Sequence, residues 1–126
     1  MPMIDVSTGE LFDRITILEI KLARIDDPAR LQNVRREYDA TVQALAGCRG
    51  DGPVAAMRAE LKAVNETLWD IEDRIRAHEH RKDFGTTFIE LARAVYVNND
   101  RRAAIKRRIN EFLGSRLVEE KSYTQY

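Results

Sequence analysis

The sequence predicts an all-α protein: an antiparallel helical bundle of about five helices, with long coiled-coil-like members. Three features lead to that class. Apolar residues recur at steps of three and four through most of the chain, capping signals stand just before the periodic stretches, and no segment shows the period-two alternation of a strand.

Ser7 and Glu10 stand in S-x-x-E spacing, the signature of a capping box, so the first helix is expected over 8–25. Leu11, Ile15, Leu18, Leu22 and Ile25 then keep one face apolar. Phe12, Ile17 and Ile20 project away from that stripe at ~100° per residue, so this helix needs cover on several sides, from later helices or from a second copy of the chain. Asp27 caps and Pro28 opens a second helix over 28–46, whose buried side reads Leu31, Val34, Tyr38, Val42, Leu45. The glycine-rich stretch "GCRGDG" ends it.

Pro53 opens a third helix over 53–80. Here Val54, Met57, Leu61, Val64, Leu68, Ile71 and Ile75 alternate steps of three and four without a break, the strongest pattern in the chain. At ~1.5 Å per residue it should run about 40 Å, a length suited to coiled-coil pairing. A turn at Gly85 leads to a fourth helix over 86–97, with Phe84, Phe88, Leu91 and Val95 as its apolar series. Asn98, Asn99 and Asp100 read as caps for a fifth over 100–113, carrying Ile105, Ile109, Phe112 and Leu113 and stopping at Gly114. The tail 115–126 offers Leu117, Val118, Tyr123 and Tyr126 for docking, in a conformation the pattern does not fix.

A chain of 126 residues fits one domain, 1–126. Its 21 Lys and Arg balance 21 Asp and Glu, so no global field draws it to nucleic acid or anionic lipid. The start "MPMIDVSTGE" lacks the basic and apolar regions of a signal peptide, and no stretch approaches the ~20 apolar residues of a membrane span. A soluble, cytoplasmic protein is the expectation. The single cysteine, Cys48, sits in the glycine-rich connection and reads as an exposed thiol without a catalytic role.

Several local motifs have bland explanations. Asp83-Phe84-Gly85 spells a kinase metal-binding triplet without the Gly-rich loop or H-R-D segment that gives it meaning. His78 and His80 are two apart, so they point to different sides of a helix, and no metal site is expected there; His78 reads as a histidine at the polar end of the core. Glu66, Asp70 and Asp73 read as a solvated, salt-bridged face, and Trp69 as a packing residue at a helix or subunit contact. No residue set suggests a catalytic centre or a cofactor.

The run "NNDRRAAIKRRINEFLG" concentrates five cations in eight positions. If a helix begins at residue 100, Arg101 and Arg102 occupy its first turn, where a cation opposes the macrodipole by roughly 0.3–1 kcal/mol unless an anion answers it. Either a carboxylate from another helix or a bound anion is then expected at Arg101, Arg102, Lys106 and Arg108, the candidate anion-binding residues. By projection Arg107 points away from the apolar face.

From "IDVSTGELFDRITILEIKLARIDDPARLQNVRREY" through "LKAVNETLWDIEDRIRAHEHRKDFGTTFIELARAVYVNNDRRAAIKRRIN" to "LVEEKSY", nearly the whole chain resembles a bacterial family that carries only a domain-of-unknown-function label. The resemblance implies a small, mostly helical, stand-alone bacterial protein and supplies no activity. The residues themselves favour a non-catalytic interaction or scaffold module that self-associates as a homodimer, with an unidentified protein as a further partner. The alternative is an anion-binding protein, or a small enzyme acting on a phosphorylated or carboxylated compound, through the Arg101/Arg102 cluster.

Overall fold

The computed structural model describes residues 1–126, with four helices and no strand: α1 (Thr8–Arg24), α2 (Pro28–Leu45), α3 (Pro53–His80) and α4 (Thr86–Leu113). The capping signals at Ser7 and Asp27 act where expected. The Ser7 hydroxyl accepts from the Glu10 N–H at 3.1 Å, and the Asp27 carboxylate accepts from the Arg30 N–H at 2.9 Å with Pro28 in the first turn behind it. Gly114, in the left-handed region at φ 65°, closes α4.

The expected break at residues 98–100 is absent, so the fourth and fifth helices are one helix of 28 residues. Asn98 does not cap anything. It is buried, and its side-chain amide donates to the Ala94 carbonyl one turn back at 2.9 Å. Leu91, Asn98, Ile105 and Ile109 share one stripe across the supposed break, and packing of that stripe outweighs the weak local preference of Asn and Asp for caps. Arg101 and Arg102 therefore lie in mid-helix, where the macrodipole does not call for an anion beside them.

Helix α1 packs against α2, α3 and α4, whereas α2 packs against α1 alone. Phe12 joins Val54, Met57, Leu61 and Val64 of α3 and Ile105 and Ile109 of α4 in the central cluster, while Ile15, Leu18 and Ile20 of α1 are buried as well. The surplus apolar surface of Phe12 and Ile20 is thus covered within the chain, leaving Ile17 half-buried. Cys48 also packs, partly buried, against the central cluster rather than standing exposed. On α2 the expected series holds less well. Val34 is buried, Leu31, Tyr38 and Leu45 are half-buried, and Val42 is exposed, because a helix with one neighbour has a narrow interface.

Gly9 sets how closely α1 crosses α4. A Cβ there would collide with the Lys106 carbonyl oxygen, and the Gly9 N–H donates to the Asn110 side-chain oxygen at 2.6 Å. Helix α4 folds back along α3, with Arg108 near its end bonded to Glu60 near the start of α3 at 3.0 Å. The remote halves of both helices outrun α1. Between Glu72 and Val97 only Leu91 is buried, so this part forms a two-helix arm whose tip is the turn 81–85. Phe84 belongs to that turn rather than to the helix, and it stacks edge-on against Phe88 at 5.2 Å. Lys82, at φ 56°, is the one non-glycine residue with positive φ.

The tail lies without regular structure beside α1 and α4, held mainly by polar contacts. Arg116 bonds Asp5 at 2.6 Å, Glu119 accepts from the Ser7 hydroxyl at 2.5 Å, Glu120 pairs with Arg107 at 3.0 Å, and the Tyr126 hydroxyl donates to Asp100 at 2.7 Å. No helix is long and apolar enough to cross a membrane.

Candidate functional site

At the junction of α1, α3 and α4 lies a buried polar group set. Asp13 is 1% exposed. Its Oδ1 accepts from the Asn65 amide and from Arg102 Nε, both at 2.9 Å, and its Oδ2 accepts from the second arm of the same guanidinium. The Asn65 amide also donates to the Thr16 hydroxyl at 2.9 Å, which in turn donates to the Asp13 carbonyl at 2.7 Å. Two-pronged Arg–carboxylate geometry is the strong form of the ion pair, and the bond to Asp13 raises the Arg102 pKa above its already high ordinary value despite partial burial.

Such a pair is not evidence of extra stability. Apolar residues filling the same space often do as well or better, so what the pair contributes is one fixed geometry of three helices. The Arg102 side chain retains 30% of its surface while Asp13 retains almost none. Its guanidinium borders three adjoining cavities, of about 570, 200 and 110 Å³.

The largest of these is an open groove where α1 departs from the base of the arm. Ile17 and Ile20 of α1 and Leu68 and Trp69 of α3 form its apolar floor, Asn65, Asn99 and Arg102 its polar end, and Glu72, Asp73 and Arg76 its rim toward the arm. Arg24 reaches over Trp69, 5.9 Å from the ring centroid, and is held there by Asp70 at 2.5 Å. Trp69 and Leu68 are half-buried, though Leu68 belongs to the apolar series of α3.

The four candidate anion-binding residues do not converge. Arg102 and Lys106 turn toward α1, where Asp13 and Glu10 receive them, the latter at 2.7 Å. Arg101 and Arg108 border a separate cavity of about 370 Å³ between α3 and α4, where Arg108 bonds Glu60 at 3.0 Å and Arg101 is exposed without an ion-pair partner. Arg107 pairs with Glu111 at 3.3 Å as well as with Glu120, and it borders the small cavity of about 110 Å³ together with Arg102 and Lys106. The side chain of His78 is 12% exposed, and its Nδ1 lies 3.4 Å from the Asp83 carboxylate.

Sequence reasoning passed over Asp13, Thr16 and Asn65. Two of them carried a legible signal. Asn65 stands four after Leu61 and three before Leu68, a polar residue in the apolar seam of α3, the kind of position that fixes register in paired helices. Asp13 stands four before Ile17 and seven before Ile20, a carboxylate on the second apolar face of α1.

The chain belongs to DUF6165, a family of unknown function whose model matches residues 2–126. No curated protein and no solved structure matches it.

Proposed function

We propose that this member of the family is a non-catalytic interaction module that self-associates, using the groove at Ile17, Leu68 and Trp69 as its contact surface. The observation that carries the reading is the groove itself, an open concavity of about 570 Å³ with an apolar floor built around the chain's single tryptophan. Interface hot spots favour this arrangement, a large aromatic anchor ringed by polar groups. Further along the arm Phe84, Ile89 and Val97 are also exposed. In this reading α3 and α4 pair in the arm as an antiparallel, coiled-coil-like hairpin. Their long seam serves to hold an interaction surface away from α1 and α2.

Sedimentation equilibrium tests it. Wild type should be dimeric at micromolar concentration and Trp69→Ala weaker in association, with unchanged helical circular dichroism. A wild-type protein that stays monomeric at high micromolar concentration removes the reading.

One observation favours a second reading. Arg101 has no carboxylate partner and shares a cavity of about 370 Å³ with Arg108, so a small phosphate- or carboxylate-bearing compound could be held between them. Inorganic phosphate should then raise the melting temperature in a concentration-dependent way, and Arg101→Gln should abolish that rise. No shift at millimolar phosphate dismisses it.

A further inference from the structure

We infer that the occupant of the Trp69 groove is the arm tip of a second copy, so that two arms lie side by side in opposite directions and each tip fills the groove at the base of the other. The inference rests on the self-association reading above and says which surfaces meet.

Three observations point to the tip. First, apolar positions link the two places. On α4, Phe88, Ala92 and Val95 follow at steps of four and three and one further step of four reaches Asn99 inside the groove, while Phe84, in the turn, stacks on Phe88. Phe88, Ala92 and Val95 are half-buried and Phe84 is 50% exposed, so the series lies on one side of α4 and is covered only in part by α3.

Second, the two ends are chemically complementary. The tip carries exposed Phe84 and Arg81 within one turn of chain, and the groove lining combines an apolar floor with Asp73. Arg81 and Asp73 have no ion-pair partner within the protomer, as is also true of Arg74, whereas Glu72 is held by Arg76 at 3.2 Å and Lys82 lies 3.8 Å from Glu79. An unpaired cation at one end and an unpaired carboxylate at the other suit a pairing that crosses between copies.

Third, the arrangement closes on itself. A two-fold axis requires that if residue i of one copy meets residue j of its partner, then j meets i. Asn99 lies about 20 Å along α4 from the helix start at Thr86, next to the tip, at ~1.5 Å per residue. Two such arms in opposite directions bring tip to groove twice, once at each end, with the Phe88, Ala92 and Val95 series in the middle. The contact is used up in a dimer and leaves no free end to propagate.

The test is charge exchange. Arg81→Glu sets a carboxylate against Asp73 at both ends of the dimer, and Asp73→Arg sets two guanidinium groups together at both ends. Each variant alone should associate at least about tenfold more weakly than wild type by sedimentation equilibrium. Mixed in equal amounts they should recover a one-to-one heterodimer, since the two introduced charges, opposite in sign, would meet at one end and the native Arg81 and Asp73 at the other. Phe84→Asp should abolish association while keeping the helical circular dichroism, because the ring lies outside the central cluster. If wild type dimerises but both charge variants dimerise equally well alone, the tip is not the occupant and self-association stands on another surface. A wild type that never dimerises overturns both readings together.

Discussion

Replacing Arg102 by Met keeps the unbranched stem that packs between α1 and α4 but removes both bonds to Asp13. The carboxylate is then left with the Asn65 amide at 2.9 Å and with 1% of its surface exposed. Stranding one member of a buried pair costs about 3–5 kcal/mol, and here the lower end applies, about 3 kcal/mol, because the groove lets water approach the vacated side. The converse change, Asp13→Asn, leaves a guanidinium that already retains 30% of its surface and can turn outward into the groove. That loss should be about 1.5–2 kcal/mol, the lower part of the range for a hydrogen bond to a charged group. The two single changes should therefore be unequal, in the order set by exposure.

Urea denaturation followed at 222 nm reads the difference directly. Equal losses, or a larger loss for Asp13→Asn, would refute the account of which partner is buried.

Gly9→Ala should destabilise by about 1–3 kcal/mol, because the new methyl strikes the Lys106 carbonyl and the gain in helix propensity, ~1 kcal/mol, is smaller than the cost of separating two backbones. Chemical denaturation showing a stabilised variant would mean the helices are not that close. Leu61→Ala should cost about 2–5 kcal/mol, whereas half-buried Leu68→Ala should cost about 1 kcal/mol, and equal losses would place Leu68 in the core. The Glu120 carboxyl is held below its ordinary pKa by its bond to Arg107. This tail contact should be intact above the ordinary carboxylate pKa and lost as pH falls through the lowered one, and carboxyl-carbon NMR should show Arg107→Gln restoring the ordinary titration.

The helical class and most boundaries were legible because they depend on signals local to a few turns: the Ser7 cap, Asp27-Pro28, and the seam from Val54 to Ile75. Asn98-Asn99-Asp100 misled for a physical reason. Cap residues are favoured only where the backbone leaves the helix, and whether it leaves is decided by the partners of Leu91, Ile105 and Ile109 on other helices. The same limit hid the site. Asn65 in an apolar seam could have been flagged, but pairing Asp13 with Arg102, 89 residues along the chain, requires knowing that α1 packs on both α3 and α4. Equally, the surplus faces of α1 suggested a second copy when Phe12 and Ile20 are satisfied by later helices; what stays uncovered is the arm, whose exposure depends on α3 and α4 outrunning α1.

Trp69 is the only tryptophan and stands in the groove, so its emission reports on that surface alone. The most direct measurement is its emission maximum as the protein is concentrated from nanomolar to high micromolar. An interaction module that closes the groove on self-association should show a shift to shorter wavelength along a binding curve, reversible on dilution and absent in Phe84→Asp. An emission maximum that does not move over that range would contradict the claim that the groove is where two copies meet.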